Sequence, residues 1–481
     1  MIIEIIIVCN ILLTHTFMLL LFNIIFCLSA VLFTIMAPDK YSYNFCLFVV
    51  IIFLFQNLIY FLLKKEKGII SFEFFFFISF AATNFIYPIV YYPTNPNYSF
   101  FGYYPINDDV ISKSTALAYL AYSFYMLGIT TIKKRNESLI SANNFIFTEK
   151  SQKRLFLLFL LFFVSYAATG GIAALRDVYS GDGNIKEIEL YSYFKILFIA
   201  CAYLSAMFVL RHKNQLRLSV PLIFLGLVCL ILLSTGTRGS VISIILILIV
   251  AYNQYIKKIS LIKASVLVFF GAFILTMITF LRTQNIFEQS WVNNTDNVEI
   301  ESVFDLFFDL VINNRNLYAL VDFSDTFSHT YFVSMLSDFL SIIPGLFGYV
   351  ANNINVPIEL ITSGELPTYL ELGTGSTFGL GTNLVGEAYL TFSYPGVIVF
   401  FFLIGFIIKY TRTKADSNIY AYVIYYLFVG YSVSYPRLPI IFNSRFIVWS
   451  LFIVWGLYKF QQIEMNKKTK YDLNVSKDSE Q

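Results

Sequence analysis

Five arginines, one histidine and one glutamate carry most of the chemistry this sequence offers. Arg238 stands in the short run STGTRGS, one residue before Gly239 and at the start of an apolar stretch. A guanidinium there, beside the unpaired N–H groups and positive dipole of a helix N-terminus, is suited to hold a phosphate or diphosphate; the plainer reading is an arginine reaching for lipid headgroups. Arg282 and Arg315 are the only bases in an acidic, lysine-free stretch from Arg282 to Gly386. They could bind an anionic leaving group or simply neutralise Glu288, Asp305 or Asp309. Arg437 and Arg445 bracket the run SYPRLPIIFNSR and offer further anion contacts, as does Arg176. His329, in FSHTYF, is the one histidine of the acidic stretch, and a general base works best near neutrality, which an imidazole supplies. Glu387 follows Gly386 at the edge of an apolar run, where it is a competing base, or only a carboxylate favoured by the start of a helix. The candidate catalytic residues are thus His329, Glu387 and Arg238, and the candidate diphosphate contacts are Arg238, Arg282, Arg315, Arg437 and Arg445. No HExxH, GK[ST], DxD or GxSxG pattern occurs in a fitting context, so neither a metal, a cofactor nor a nucleotide is expected.

These residues need elements to position them, and composition says what kind. Of 481 residues, 58% are hydrophobic and 13% charged, and the apolar runs continue for roughly 20 residues instead of alternating over about 10. The expected fold is all-α: a polytopic membrane bundle. Expected spans are Met18–Ile35, Phe45–Leu63, Ile69–Tyr91, Thr115–Ile132, Leu155–Thr169, Tyr191–Leu210, Leu218–Leu233, Val241–Tyr255, Ile259–Leu281, Ala388–Ile408, Ile419–Val433 and Phe446–Leu457, about 12 helices in the sense of membrane thickness. With both ends inside, every second loop is basic and about 23 of the 33 Lys and Arg residues fall on the cytoplasmic side. The arginines named above are then external. The net charge of +3 does not point to nucleic acid, because the bases cluster beside spans. All five cysteines lie in apolar runs without CxxC spacing, which signals neither a disulfide framework nor a metal site. The apolar N-terminus reads as a retained span.

The expected organisation is an N-terminal membrane bundle over 1–281, an external loop domain over 282–386, C-terminal spans over 387–458 and a cytoplasmic tail over 459–481. Within the loop, Phe304, Phe307, Phe308, Val311 and Ile312 predict an amphipathic helix over Glu301–Asp322, with Asp305, Asp309 and Arg315 facing water or substrate. A second helix is expected between Ser328 as its cap and Pro344 as its stop. From Gly345 to Asn383 the Gly-, Asn-, Thr- and Pro-rich sequence suits a flexible flap.

The GTRG turn opening a late span, the large loop whose amphipathic helix ends in IPG, and the run into NLVGEAYLTFSYPGVIVFFFLIG together resemble the O-antigen polymerase (Wzy-type oligosaccharide repeat unit polymerase) family, most specifically over Ser234 to Gly405. That resemblance implies a fold related to the GT-C membrane glycosyltransferases and a metal-independent transfer at the periplasmic face of the bacterial inner membrane. It further implies that a growing glycan leaves undecaprenyl diphosphate for the terminal sugar of a fresh lipid-linked repeat unit, with a chain-length regulator and a flippase as possible partners. The family's essential external arginines would map to Arg238, Arg282 and Arg315. Where members often carry an arginine after IP, this chain has Gly345, and a role resting on that arginine does not carry over. Two other functions fit parts of the pattern: an O-antigen ligase transferring glycan to lipid A-core, and a lipid-linked oligosaccharide flippase. The flippase reading lacks the charged residues deep within spans that a transporter shows.

Overall fold

Two glycines set how the bundle closes. Helix α4 (Ile111–Thr131) crosses α13 (Leu384–Lys414) so tightly that a Cβ on Gly128 would lie 2.2 Å from the Phe402 carbonyl oxygen, and one on Gly405 would lie 2.1 Å from that of Tyr125. In a bilayer, where no hydrophobic effect drives helices together, such close backbone approach is a main source of packing energy. The computed structural model describes residues 2–64, 70–94, 108–132, 147–173, 190–211, 219–234, 237–260, 262–267, 270–271, 308–343, 345–353, 358–373, 379–441 and 444–478.

Around that crossing stand α1 (Ile2–Ile35), α2 (Tyr43–Leu63) and α3 (Phe72–Ile86), the last continued by a π-helical turn over Tyr87–Tyr91. Beside them pack α5 (Glu149–Ala168), α6 (Leu190–Val209), α7 (Val220–Ser234), α8 (Arg238–Tyr255), α14 (Ile419–Tyr431) and α15 (Ser444–Asp478). Among the described residues there is no strand, and eight helices are long and apolar enough to cross a membrane; the chain is an all-α, multi-pass membrane protein. Shorter apolar helices α7 and α14 add to them. Of the expected span Ile259–Leu281, residues 261, 268–269 and 272–281 lie outside the described residues.

Contacts sort the helix ends into two sets. At one end, Arg412 donates to Glu73 at 2.6 Å with Lys64 3.7 Å from the same carboxylate, Arg154 pairs with Glu464, and Gln152 donates to the Phe208 carbonyl. This is the basic end. At the other, Ser42 and Ser112 meet, Tyr41 donates to the Pro88 carbonyl, and Lys113 meets Asp325.

The segment between α8 and α13 departs from its sequence reading. Instead of one helix over Glu301–Asp322, the described part is a short turn of helix, Phe308–Val311, then α9 (Asn314–Thr326); residues 301–307 lie outside the described residues. The interruption falls where Asn313 spends its side-chain amide on the Thr382 carbonyl. Nor does α9 turn Arg315 to water: residues Asn314 through Val321 are all buried, and Arg315 is 4% exposed. Side-chain placements of Asp305 and Asp309 lie outside the described residues. The second expected helix is broken as well. Tyr331 takes a left-handed backbone (φ 51), which L-residues rarely adopt, so only a 3-10 turn, Val333–Met335, and the short α10 (Leu336–Leu340) follow. Beyond it come α11 (Leu346–Asn353), a turn over Ile358–Ile361 and α12 (Glu365–Leu372). The expected flap is pinned where it is described: Leu380 N–H donates to Thr368, and Asn316 donates to the carbonyls of Leu380 and Gly381. Residues 374–378 lie outside the described residues.

Helix α13 itself breaks at Phe392–Ser393 (Ser393 φ 56, ψ −147), just before Pro395, whose ring has no N–H and crowds the preceding turn. The Leu390 carbonyl at the break accepts the Thr330 N–H at 2.9 Å.

Candidate functional site

An amide network builds the site. The chain reads Asn313-Asn314-Arg315-Asn316 at the start of α9, and each asparagine holds a different neighbour. Asn313 donates to the Thr382 carbonyl (2.9 Å), Asn314 to that of Thr83 (3.1 Å) and Asn316 to those of Leu380 (3.0 Å) and Gly381 (3.1 Å). Asn383 donates to Asn84 and Asn313, and its Oδ1 accepts the N–H groups of Val385 and Gly386, capping α13. Side-chain networks of this kind help hold one geometry in a low-dielectric interior, although Asn314 Oδ1 and the Thr83 and Thr382 hydroxyls are buried with no hydrogen-bond partner among the described residues. Gly386 is needed there too, since a Cβ would meet Leu320 at 2.8 Å.

What the network aims is Arg315. It shares one small cavity with Arg437, Glu371, Asn313 and Asn316, walled by Ile312 and Leu380. Arg315 and Glu371 lie 3.8 Å apart, each 4% exposed. Burial pushes the Glu371 carboxyl above its ordinary range, and the Arg315 guanidinium opposes that rise. Arg437 arrives from the 3-10 turn Tyr435–Arg437 after α14, which Ser79 ties down by donating to the Val433 carbonyl. Two arginines lining one small cavity suit a polyanion, because a guanidinium is always charged and its fork matches phosphate oxygens.

Three residues beyond Arg437 lies the second feature. The Ile440 N–H donates to Glu387 Oε2 at 2.5 Å, and Glu387 is fully buried beside Ser363 and Tyr435, facing Asp338. Asp338, on α10, is pushed up to about 7 by burial, with Arg445 pulling it back; Ser444 donates to its backbone carbonyl at 2.6 Å. Glu387 Oε1 and Asp338 Oδ2 are buried with no hydrogen-bond partner among the described residues. Nothing in the sequence reading singled out Asp338. Its signal was there: it is the one charged residue between Thr326 and Asn353.

The remaining candidates are placed apart. His329 Nδ1 lies 2.6 Å from the Ser324 hydroxyl, and its ring meets Tyr389 edge-on. Tyr389 in turn donates to Asp325, which Lys113 pairs at 2.6 Å. His329 therefore belongs to a cluster with partners different from those of Glu387. Arg238 opens α8 half-buried and does not line the arginine cavity. Arg445 is exposed, against the Phe446 ring, and Arg282 lies outside the described residues. The structure thus joins Arg315 with Arg437, and Glu387 with Asp338 and Arg445. Among the described residues no three His, Cys, Asp or Glu side chains gather as they would around a metal ion.

The sequence matches the family described as O-antigen polysaccharide polymerase Wzy over residues 11–470, nearly the whole chain. No curated protein and no solved structure matches it.

Proposed function

The chain belongs to the O-antigen polysaccharide polymerase Wzy family, and on that footing we propose that it joins undecaprenyl diphosphate-linked oligosaccharide repeat units at the periplasmic face of the bacterial inner membrane. The observation that carries the assignment of parts is that Arg315 and Arg437 line the same small cavity. In this reading the bond between the donor glycan's anomeric carbon and the diphosphate oxygen breaks, and the diphosphate leaves with the electron pair. The two guanidiniums take up that developing charge, a preorganised stabilisation that water would have to reorganise to supply. They fill the role that a metal ion plays in other transferases. A hydroxyl of the acceptor's terminal sugar attacks the same carbon, and its proton passes to the unpartnered Oε1 of Glu387. Products are the elongated glycan on the acceptor's undecaprenyl diphosphate, free undecaprenyl diphosphate and one proton. Glu387 is covered by the turn through Ile440, so substrate entry must draw that turn aside. The acceptor carries a diphosphate of its own, and Arg238 at the start of α8 is the contact assigned to it.

Reconstitution of the purified protein with a lipid-linked repeat unit tests the reading. A ladder of glycans lengthening by whole repeats is expected on a gel. Repeat units that stay single would overturn it, whereas transfer only when lipid A-core is added would replace polymerisation by ligation.

A further inference from the structure

We infer that the segment from Phe327 to Tyr349, which crosses nothing, lies embedded in the headgroup boundary of the bilayer at the end of the protein opposite the basic one. Its large outward side chains are apolar: Phe327, Tyr331, Phe332, Phe339, Ile343 and Tyr349 are each about half to three-quarters exposed. Its one charged residue, Asp338, turns inward to Arg445 and Glu387. A loop in water has no reason to expose six large apolar side chains and no charge, and patches of this size mark a contact surface.

Depth and continuity point to lipid as the occupant. Tyr331 and Phe332 pack on Phe392 with ring centroids 5.7 and 4.8 Å apart, and Phe392 packs on Phe400. From there the exposed Val399, Leu403 and Phe406 continue the same surface down α13. Helix α13 runs on from Phe392 to Arg412, which is tied to Glu73 at the basic end. Those roughly 20 residues rise about 30 Å, the thickness of a bilayer's hydrocarbon core. Phe392 therefore stands at the level of the second interface, where aromatic side chains are favoured. The aromatic residues resting on it stand there too. The left-handed turn at Tyr331 and the Thr330 N–H bonded to the Leu390 carbonyl fix the segment to the helix break at this height. This placement depends on the chain crossing a membrane and on no step of the polymerisation.

Single-tryptophan reporters at Phe332, Phe339 and Ile343, made where Trp291, Trp449 and Trp455 are replaced by Phe, test it in liposomes containing phosphatidylcholine brominated near the headgroup. Emission from all three should be quenched about twofold or more relative to a Glu365→Trp control on α12, and aqueous iodide should quench them less than the control. Quenching by iodide equal to that of the control would show the segment in water. Protection from both quenchers would show a protein cover, such as a second copy. Either result overturns the inference. Three separate reporters keep the test alive if one variant does not fold.

Discussion

At the scale of single residues, Arg315 is held in two ways that mutation can separate. In the proposed reaction, removing its charge takes away stabilisation of the departing diphosphate, and it also leaves Glu371 buried without its partner. Arg315→Gln is expected to lower elongation by about 100-fold or more and to cost about 3–5 kcal/mol of stability. Adding Glu371→Gln should return most of the stability and none of the activity, read as thermal unfolding in detergent beside the glycan ladder. If activity returned with stability, Arg315 would be a structural residue and the diphosphate assignment would fail. Asp338 gives a second test, in pH. Its carboxyl is raised in the fold to about 7 from an ordinary 3.8. As pH climbs from about 4 to about 7, the unfolded chain loses this proton while the folded one keeps it, so the wild type loses stability across that window and no more above it. Asp338→Asn should match the wild type near pH 4 and exceed it at pH 8, by at most about 4 kcal/mol at 1.4 kcal/mol per pH unit over roughly three units. A stability difference that stays flat across that range would show the carboxyl to be solvated instead of buried. Sequence exposed the arginines because Lys and Arg are scarce on the external side of apolar spans, yet it gave no way to know that Arg315 and Arg437, more than a hundred residues apart, line one cavity. Asp338 looked ordinary because its burial comes from partners on other elements.

Among elements, the long helices were legible and the short ones were not, for a physical reason. Spans such as α2 and α6 follow from apolar length alone, since the bilayer leaves the backbone no partner but itself. The stretch from Phe308 to Leu372 is shaped by tertiary contacts instead: Asn313 leaves its helix for the Thr382 carbonyl, and Tyr331 accepts a left-handed turn. Periodicity in Phe304 through Ile312 and in Phe332 through Ile343 predicts long amphipathic helices, and those contacts override it. The break in α13 was signalled by Pro395, though the sequence did not show that Thr330 would take up the Leu390 carbonyl. The crossing of α4 with α13 yields the prediction that belongs to this scale. With less than a methyl group's room at Gly405, Gly405→Leu must push the two helices apart, at about 1–3 kcal/mol or more of strain. Gly456→Leu, on α15 where a Cβ meets nothing within 4 Å, should be close to neutral. Equal unfolding midpoints for the two variants would show that the crossing does not hold the bundle.

For the molecule as a whole, what matters is which side of the membrane the arginine cavity opens to, because the proposed reaction needs its lipid-linked repeat units displayed on that same side. The helix ends fall into two sets, and the bases among the described residues are divided unevenly between them. Lys64, Lys150, Lys153, Arg154, Arg211, Lys257, Lys258, Lys263, Lys409, Arg412, Lys414 and Lys459 stand at the ends that meet Glu73 and Glu464, while Lys40, Lys113, Lys195, Arg238, Arg315, Arg437 and Arg445 stand at the other. Short loops rich in Lys and Arg resist translocation and stay in the cytoplasm, so the cavity should open to the periplasm. Two cysteine reporters decide it in a protein stripped of its own five cysteines. Glu365→Cys, exposed on α12 near Glu371, should react with a membrane-impermeant maleimide in intact cells; Lys258→Cys, exposed after α8, should react only once the membrane is opened. The reverse pattern would put the cavity in the cytoplasm, where nucleotide sugars are available, and transfer between two lipid-linked glycans on the outer face would no longer be a tenable use of Arg315 and Arg437. Because the labelling reads orientation alone, that outcome would leave family membership and the bundle itself untouched while removing the reaction from this site.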